Sequence, residues 1–292
     1  MGVGGSRFLR CWGYAVMDMV VYNGRLYVAP VLVVVVGWVY MYNGERRWTL
    51  VGDGLDRGVL SLAVYNGELY AGTGRGAFRV YKYTPGSSNV GIMNWTRVVD
   101  HPWDGTRELF VSRGFLLIGD SLYDRIGRWD GRRFYADMDA GGSCIYDFAE
   151  FGDYIYAAAY AGVLYRSRDG IRWERVLDYY WWGGNMWSLA VYKGRLFMGY
   201  SNGELRAWNG TGDPRGVFVL RAPDSILSMA TDGVYLYFGT GGDAVGYGAR
   251  SSGIANVYVY DGKNVFLISR WDEFGAGVQK ILVVCPFLRA SK

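Results

Sequence analysis

Two carboxylate pairs, Asp137 with Asp139 and Asp53 with Asp56, have the residue type and spacing that acid–base catalysis could use. A pair of this kind cleaves a glycosidic bond when its groups face each other about 5 to 9 Å apart across a pocket. Both pairs lie in glycine-rich stretches, where aspartate ordinarily forms turns, so no residue is assigned a catalytic role. Asp137-x-Asp139-x-Gly141 lacks the longer ligand series of a calcium loop. His101 is the single histidine, with no second one to share a metal and no local signature of a hydrolytic triad. Cys11, Cys144 and Cys285 are odd in number, far apart and free of any Cys-x-x-Cys pair, which argues for free thiols over disulfides or zinc. Gly72 to Gly76 and Gly239 to Gly242 follow strand-like segments, but no helix follows either, so neither makes a phosphate loop. No metal and no cofactor is expected.

The strongest binding signal is aromatic. Asp178, Tyr179, Tyr180, Trp181 and Trp182 are consecutive, and four adjacent rings cannot all enter one strand face. Together with Trp103, Asp104, Trp271 and Asp272 they compose a candidate ligand site, in which rings would stack on a sugar and carboxylates would accept its hydroxyls. A protein partner would use the same residues. The alternative is that these rings wedge between neighbouring structural repeats.

The elements that must position these residues recur. Tight turns at Tyr22-Asn23-Gly24, Tyr65-Asn66-Gly67, Ser112-Arg113-Gly114, Phe151-Gly152-Asp153, Tyr192-Lys193-Gly194 and Thr231-Asp232-Gly233 each join two strand-like segments. Their glycines are spaced 43, 47, 38, 42 and 39 residues apart. A period near 40 with four strands per repeat is that of a β-propeller. The blades are expected at about 14–52, 59–100, 107–139, 144–178, 186–221 and 226–271. Residues 6–12 read as an outer strand and 278–291 as inner strands, which together would close a composite seventh blade and remove open edges. Six blades is the alternative. In such a domain, here 1–292, the tight turns share one side of the blades. The variable loops, which carry the candidate site, share the other.

Ser167-Arg168-Asp169-Gly170-Ile171-Arg172-Trp173 resembles the Asp-box hairpin of the sialidase-like and kelch-like propellers. The resemblance implies a structural role: Ser167 and Asp169 hold the turn backbone around Gly170, and Trp173 packs between blades. Tyr42 to Trp48 and Trp129 to Phe134 are partial echoes of it. Two departures limit what it implies. No Arg-Ile-Pro segment is present, so glycosidase activity gains little support, and Trp129-Asp130 lacks the upstream Gly-His of WD40 repeats.

The totals narrow the remaining classes. Hydrophobic residues make up 51% of the chain, but the apolar runs have strand length. The longest uncharged one, 27–42, is shorter than the roughly 18 to 20 residues of a spanning helix and contains Pro30. No membrane span and no signal peptide are expected, which leaves a cytoplasmic location by default, or a place in a virion or surface assembly. A net charge of +4 without a dense basic stripe argues against nucleic acid. Abundant Arg, Tyr and Val with scarce amides suggest a thermophilic source. The reading is a non-enzymatic binding or assembly module for a protein or glycan. A glycoside-active enzyme using loop-side carboxylates, and a structural protein of a virion or cell surface, are the alternatives. Oligomeric state is not set by these features.

Overall fold

The computed structural model describes residues 14–32, 37–56, 58–74, 76, 78–89, 92–140, 142, 144–178, 184–219, 225–241, 255–271 and 280–282. The fold is all-β, a β-propeller of six four-stranded antiparallel blades. The chain divides into two compact units, Met1–Met186 and Trp187–Lys292.

The first unit holds four blades. Blade 1 comprises β1 (Tyr14–Tyr22), β2 (Arg25–Leu32), β3 (Val39–Tyr42) and β4 (Trp48–Gly52). Blade 2 comprises β5 (Val59–Tyr65), β6 (Glu68–Thr73), β7 (Phe78–Asn89) and β8 (Ile92–His101). Blade 3 comprises β9 (Thr106–Ser112), β10 (Phe115–Asp120), β11 (Arg125–Trp129) and β12 (Phe134–Asp139). Blade 4 comprises β13 (Ile145–Phe151), β14 (Tyr154–Ala159), β15 (Val163–Ser167) and β16 (Glu174–Asp178). The second unit holds blade 5, with β17 (Met186–Tyr192), β18 (Arg195–Tyr200), β19 (Glu204–Trp208) and β20 (Arg215–Val219). Blade 6 comprises β21 (Ser225–Thr231), β22 (Leu236–Gly241), β23 (Ala255–Tyr260) and β24 (Val265–Trp271). Among the described residues the blades number six, as in the six-bladed alternative. The proposed closure by 6–12 and 278–291 lies outside the described residues, except 280–282, which carry no strand. Of the long apolar run, Tyr27–Leu32 lies in β2 and Val39–Tyr42 in β3, and no helix among the described residues is long and apolar enough to cross a membrane.

The tight turns work because their residues accept left-handed backbone. Asn23 and Gly24 have φ of 48° and 71°, and Asn66 and Gly67 of 50° and 74°. A two-residue hairpin with positive φ at both positions matches the right-handed twist of its strands. The middle strands of blades 2 and 3 are buried on both faces, because each of these blades has a neighbour on either side: Leu69 and Tyr70, and Leu116 and Leu117, point to opposite faces and are all buried. Burial of this kind contributes roughly 25 cal/mol per Å².

A second regularity sits in the first strands. Their pairing slips by one residue at Met17, Leu60, Arg107, Tyr146 and Leu227. The residue that follows each bulge is polar: Asp18, Ser61, Glu108, Asp147 and Ser228. In blades 1 to 3 these side chains tie neighbouring first strands together. Asp18 Oδ2 accepts from Ser61 Oγ at 3.1 Å and from the Leu62 amide at 2.6 Å, and Ser61 Oγ accepts from the Leu109 amide at 3.0 Å. In the second unit Ser188 Oγ donates to the Ile226 carbonyl at 3.1 Å.

Candidate functional site

On the loop side of the first unit, Trp103 and Asp104 occupy the connection from β8 to β9. The Trp103 carbonyl accepts from the Phe78 amide at 3.0 Å, which fixes the loop against β7. The indole meets Phe78, His101 and Phe134 edge-on, with centroids 5.0, 4.8 and 5.9 Å away. The Arg125 guanidinium lies over the Trp103 ring at 5.4 Å and over the Tyr123 ring at 4.2 Å, and Arg125 pairs with Asp139 at 2.9 Å. Trp103 thus bridges blades 2 and 3 on one side and supports an arginine on the other. Tyr123, 38% exposed, is the open end of this shelf.

Asp104 joins two loops: Oδ1 accepts from the Gly76 amide at 3.2 Å and Oδ2 from Ser121 Oγ at 3.3 Å. Beneath it lies Asp120, with no exposed surface. One oxygen accepts from the Leu122 and Tyr123 amides at 2.7 and 3.1 Å, but Oδ2 is buried without a hydrogen-bond partner. Burial therefore outweighs these two amides and pushes the carboxyl up to about 6. Asp124 next to it is fully engaged, by the Tyr165 hydroxyl of blade 4 at 2.8 Å and the Cys144 amide at 3.1 Å. A Cβ on Gly142 would fall 1.9 Å from Asp124 Oδ2, so only glycine lets this loop pass. The Cys144 thiol donates to the Ser121 carbonyl, and burial pushes it up to about 12.

The other acidic residues have structural partners. Asp56 accepts from Arg79 Nη1 at 2.7 Å and from the Tyr81 hydroxyl at 2.5 Å. Asp53 accepts from Trp38 Nε1 at 2.9 Å and from the Gly54 amide at 2.8 Å. Asp137 is paired with Arg128 at 2.9 Å, and that guanidinium is held between the Phe115 and Tyr135 rings at 4.7 and 4.0 Å. Burial still raises the Asp137 carboxyl, its effect being larger than that of Arg128. His101 is shifted down by burial among the rings and then by Arg125, which favours a neutral imidazole. Among the described residues no group of three or more His, Cys, Asp or Glu could hold a metal ion.

Asp178 ends β16, is exposed and pairs with Arg175. Trp271 ends β24 opposite Ala255. Tyr179, Tyr180, Trp181, Trp182 and Asp272 lie outside the described residues. On the turn side, Asp169 Oδ1 accepts from the Ile171 and Arg172 amides, each at 2.9 Å, and Ser167 Oγ accepts from the Gly170 amide at 2.9 Å. Trp173 packs against Phe148 at 6.0 Å within blade 4. Asp130, Asp232 and Asp261 hold their own turns in the same way, and accepting two amides lowers each carboxyl.

Sequence reasoning did not find Asp120, Asp124, Tyr123 or Arg125. The available signal was Asp120-Ser121-Leu122-Tyr123-Asp124-Arg125, a polar connection at the loop-side end of the middle strands, where apolar residues otherwise prevail.

No protein-family model matches the chain, and no curated protein matches it significantly. Solved structures do. The WD40 β-propeller domain of Doa1 superposes with a TM-score of 0.65 at 13% identity, over 92% of this chain and 86% of that one. The WD40 repeats of RRP9 give 0.63 at 12% identity, over 93% and 84%. Virginiamycin B lyase from Staphylococcus aureus gives 0.66 at 13% identity, over 86% and 83%. At such identities the likeness is one of fold, and it does not single out the sialidase-like and kelch-like group.

Proposed function

We propose that this protein is a non-enzymatic binding module that docks a protein partner on its loop side. The observation that carries the reading is the Trp103–Arg125–Tyr123 shelf beside Asp104 and Asp139. Trp, Tyr and Arg, held rigid by stacking, are the residues that dominate protein contact energetics. The carboxylates weighed for acid–base work support the same reading, because Asp53, Asp56, Asp137 and Asp139 each serve an arginine, a tyrosine, an indole or a backbone amide. Two WD40 propellers and a chain of the mitotic checkpoint complex structure resemble this fold, which supports protein assembly as a use for the architecture.

A glycan is the second reading, favoured by the run Asp178 to Trp182 with Trp271 and Asp272. Trp103 contributes less to a sugar platform than to a protein contact, because Arg125 already lies over its ring. The test is quantitative affinity capture beside a glycan array, comparing wild type with Tyr123→Ala/Arg125→Ala and Trp181→Ala/Trp182→Ala. A protein lost from the first variant supports the leading reading, and an array signal lost from the second supports the glycan. Glycoside cleavage abolished by changing one loop-side carboxylate would overturn both.

A further inference from the structure

The opposite side of blade 4 carries a different feature. The hairpin from β15 to β16 reads Arg166-Ser167-Arg168-Asp169-Gly170-Ile171-Arg172-Trp173-Glu174, three arginines within nine residues. With Tyr154, all of these residues except Gly170 and Ile171 line a cavity of about 290 Å³. We propose that this cavity is an oxyanion site that takes phosphate or sulfate, either as the free ion or as a monoester.

Arginines outnumber carboxylates there: Arg166, Arg168 and Arg172 stand against Asp169 and Glu174. Arg166 stands directly across the ladder from Glu174 and pairs with it at 2.6 Å, which accounts for one arginine and one carboxylate. Asp169 keeps its charge and is oriented toward the turn, where one oxygen accepts from the Ile171 and Arg172 amides and from Ser167 Oγ. Arg168 and Arg172 have no carboxylate within ion-pair distance among the described residues.

The donors are also held in place. Tyr154 lies between two guanidinium groups, with Arg166 at 4.4 Å and Arg168 at 4.8 Å from its ring centre, and its hydroxyl accepts from Arg168 Nη2 at 2.9 Å. That contact uses one of the five N–H donors of Arg168. Stacking on an aromatic face removes rotamer freedom before a ligand arrives, so little of it remains to be lost on binding. Trp173 lines the same cavity. Forked arginines and an aromatic wall suit a tetrahedral oxyanion, which accepts several charge-assisted hydrogen bonds at once.

The cavity exceeds the needs of a bare ion, so an ester can be accommodated as well. The test is calorimetric titration of the full chain with inorganic phosphate, inorganic sulfate and phenyl phosphate at low salt. Arg168→Gln, Arg172→Gln and Tyr123→Ala/Arg125→Ala are measured beside wild type. The site predicts saturable one-to-one binding that Arg172→Gln and Arg168→Gln each weaken about tenfold or more, as expected for lost hydrogen bonds to charge. The Arg172 side chain is exposed and without an ion pair, so its variant should melt with wild type, which separates lost binding from lost folding. Tightest binding of phenyl phosphate assigns an ester, and tightest binding of an inorganic ion assigns the free species. No saturation by any probe up to about 10 mM, or wild-type affinity in both arginine variants, overturns the proposal. Tyr123→Ala/Arg125→Ala should bind the probes as wild type does, so this test stands or falls apart from the loop-side reading.

Discussion

Asp120→Asn should change the pH dependence of folding in a way that can be calculated. The carboxyl is held at about 6 in the fold against an ordinary 3.8, a gap that corresponds to about 3 kcal/mol. Its folded value lies above the unfolded one, so the native state binds the proton more tightly. Asp120 therefore costs nothing at low pH and destabilises progressively as pH rises from about 4 to 6.5, after which the cost is constant. Asparagine keeps the acceptor for the Leu122 and Tyr123 amides and never ionises. Relative to wild type, the variant should gain about 2 to 3 kcal/mol between pH 4 and pH 7.5. The offset at pH 4 includes burial of a new amide group without partners, so the slope rather than the offset is diagnostic. His101 titrates in the same range with opposite sign, because its value is lowered and its protonation opposes folding as pH falls. Comparing the two proteins at each pH cancels that contribution. Urea unfolding at half-unit pH steps supplies the data. A difference that does not vary with pH would refute the assignment of a buried, half-satisfied carboxylate.

Three further outcomes follow from contacts and burial. Tyr165→Phe and Tyr81→Phe each remove a hydroxyl from an aspartate, buried Asp124 or half-buried Asp56, and should cost about 1 to 3 kcal/mol in urea unfolding, with Tyr165→Phe the larger because its contact is wholly buried. The Cys144 thiol, buried and raised to about 12, should resist iodoacetamide in the native protein at pH 8 and react once urea unfolds it, as read by mass spectrometry. Trp103→Ala should lower stability by about 3 kcal/mol or more, because its ring packs against Phe78, His101 and Phe134 between blades 2 and 3.

The repeat was legible because turn chemistry is local. Asn23-Gly24 and Asn66-Gly67 advertise positive φ, and residues at a fixed offset from them must alternate between strand and connection. The polar residue after the first-strand bulge was visible too in blades 1 to 4, six residues before the second turn residue at Asp18, Ser61, Glu108 and Asp147, but its meaning depends on the neighbouring blade. Asp18 reaches Leu62, 44 positions away, and Tyr165 reaches Asp124, 41 positions away. No local pattern encodes such pairs. The carboxylates were likewise undecidable in sequence, because Asp56, held by an arginine and a tyrosine, and Asp120, with one oxygen unpartnered, look alike until their partners are placed. Trp103 was singled out as part of a candidate platform, and its inner face is a wedge that sequence spacing alone could not separate from an open one.

The most direct test of the loop-side binding reading is quantitative affinity capture from the native source with wild type, Tyr123→Ala/Arg125→Ala and the turn-side variant Arg172→Gln. The account predicts that a wild-type partner is retained by Arg172→Gln and weakened about tenfold or more by the loop-side variant, in line with the loss of a central Arg and Tyr. Retention of the same partners by the loop-side variant at wild-type affinity would contradict it.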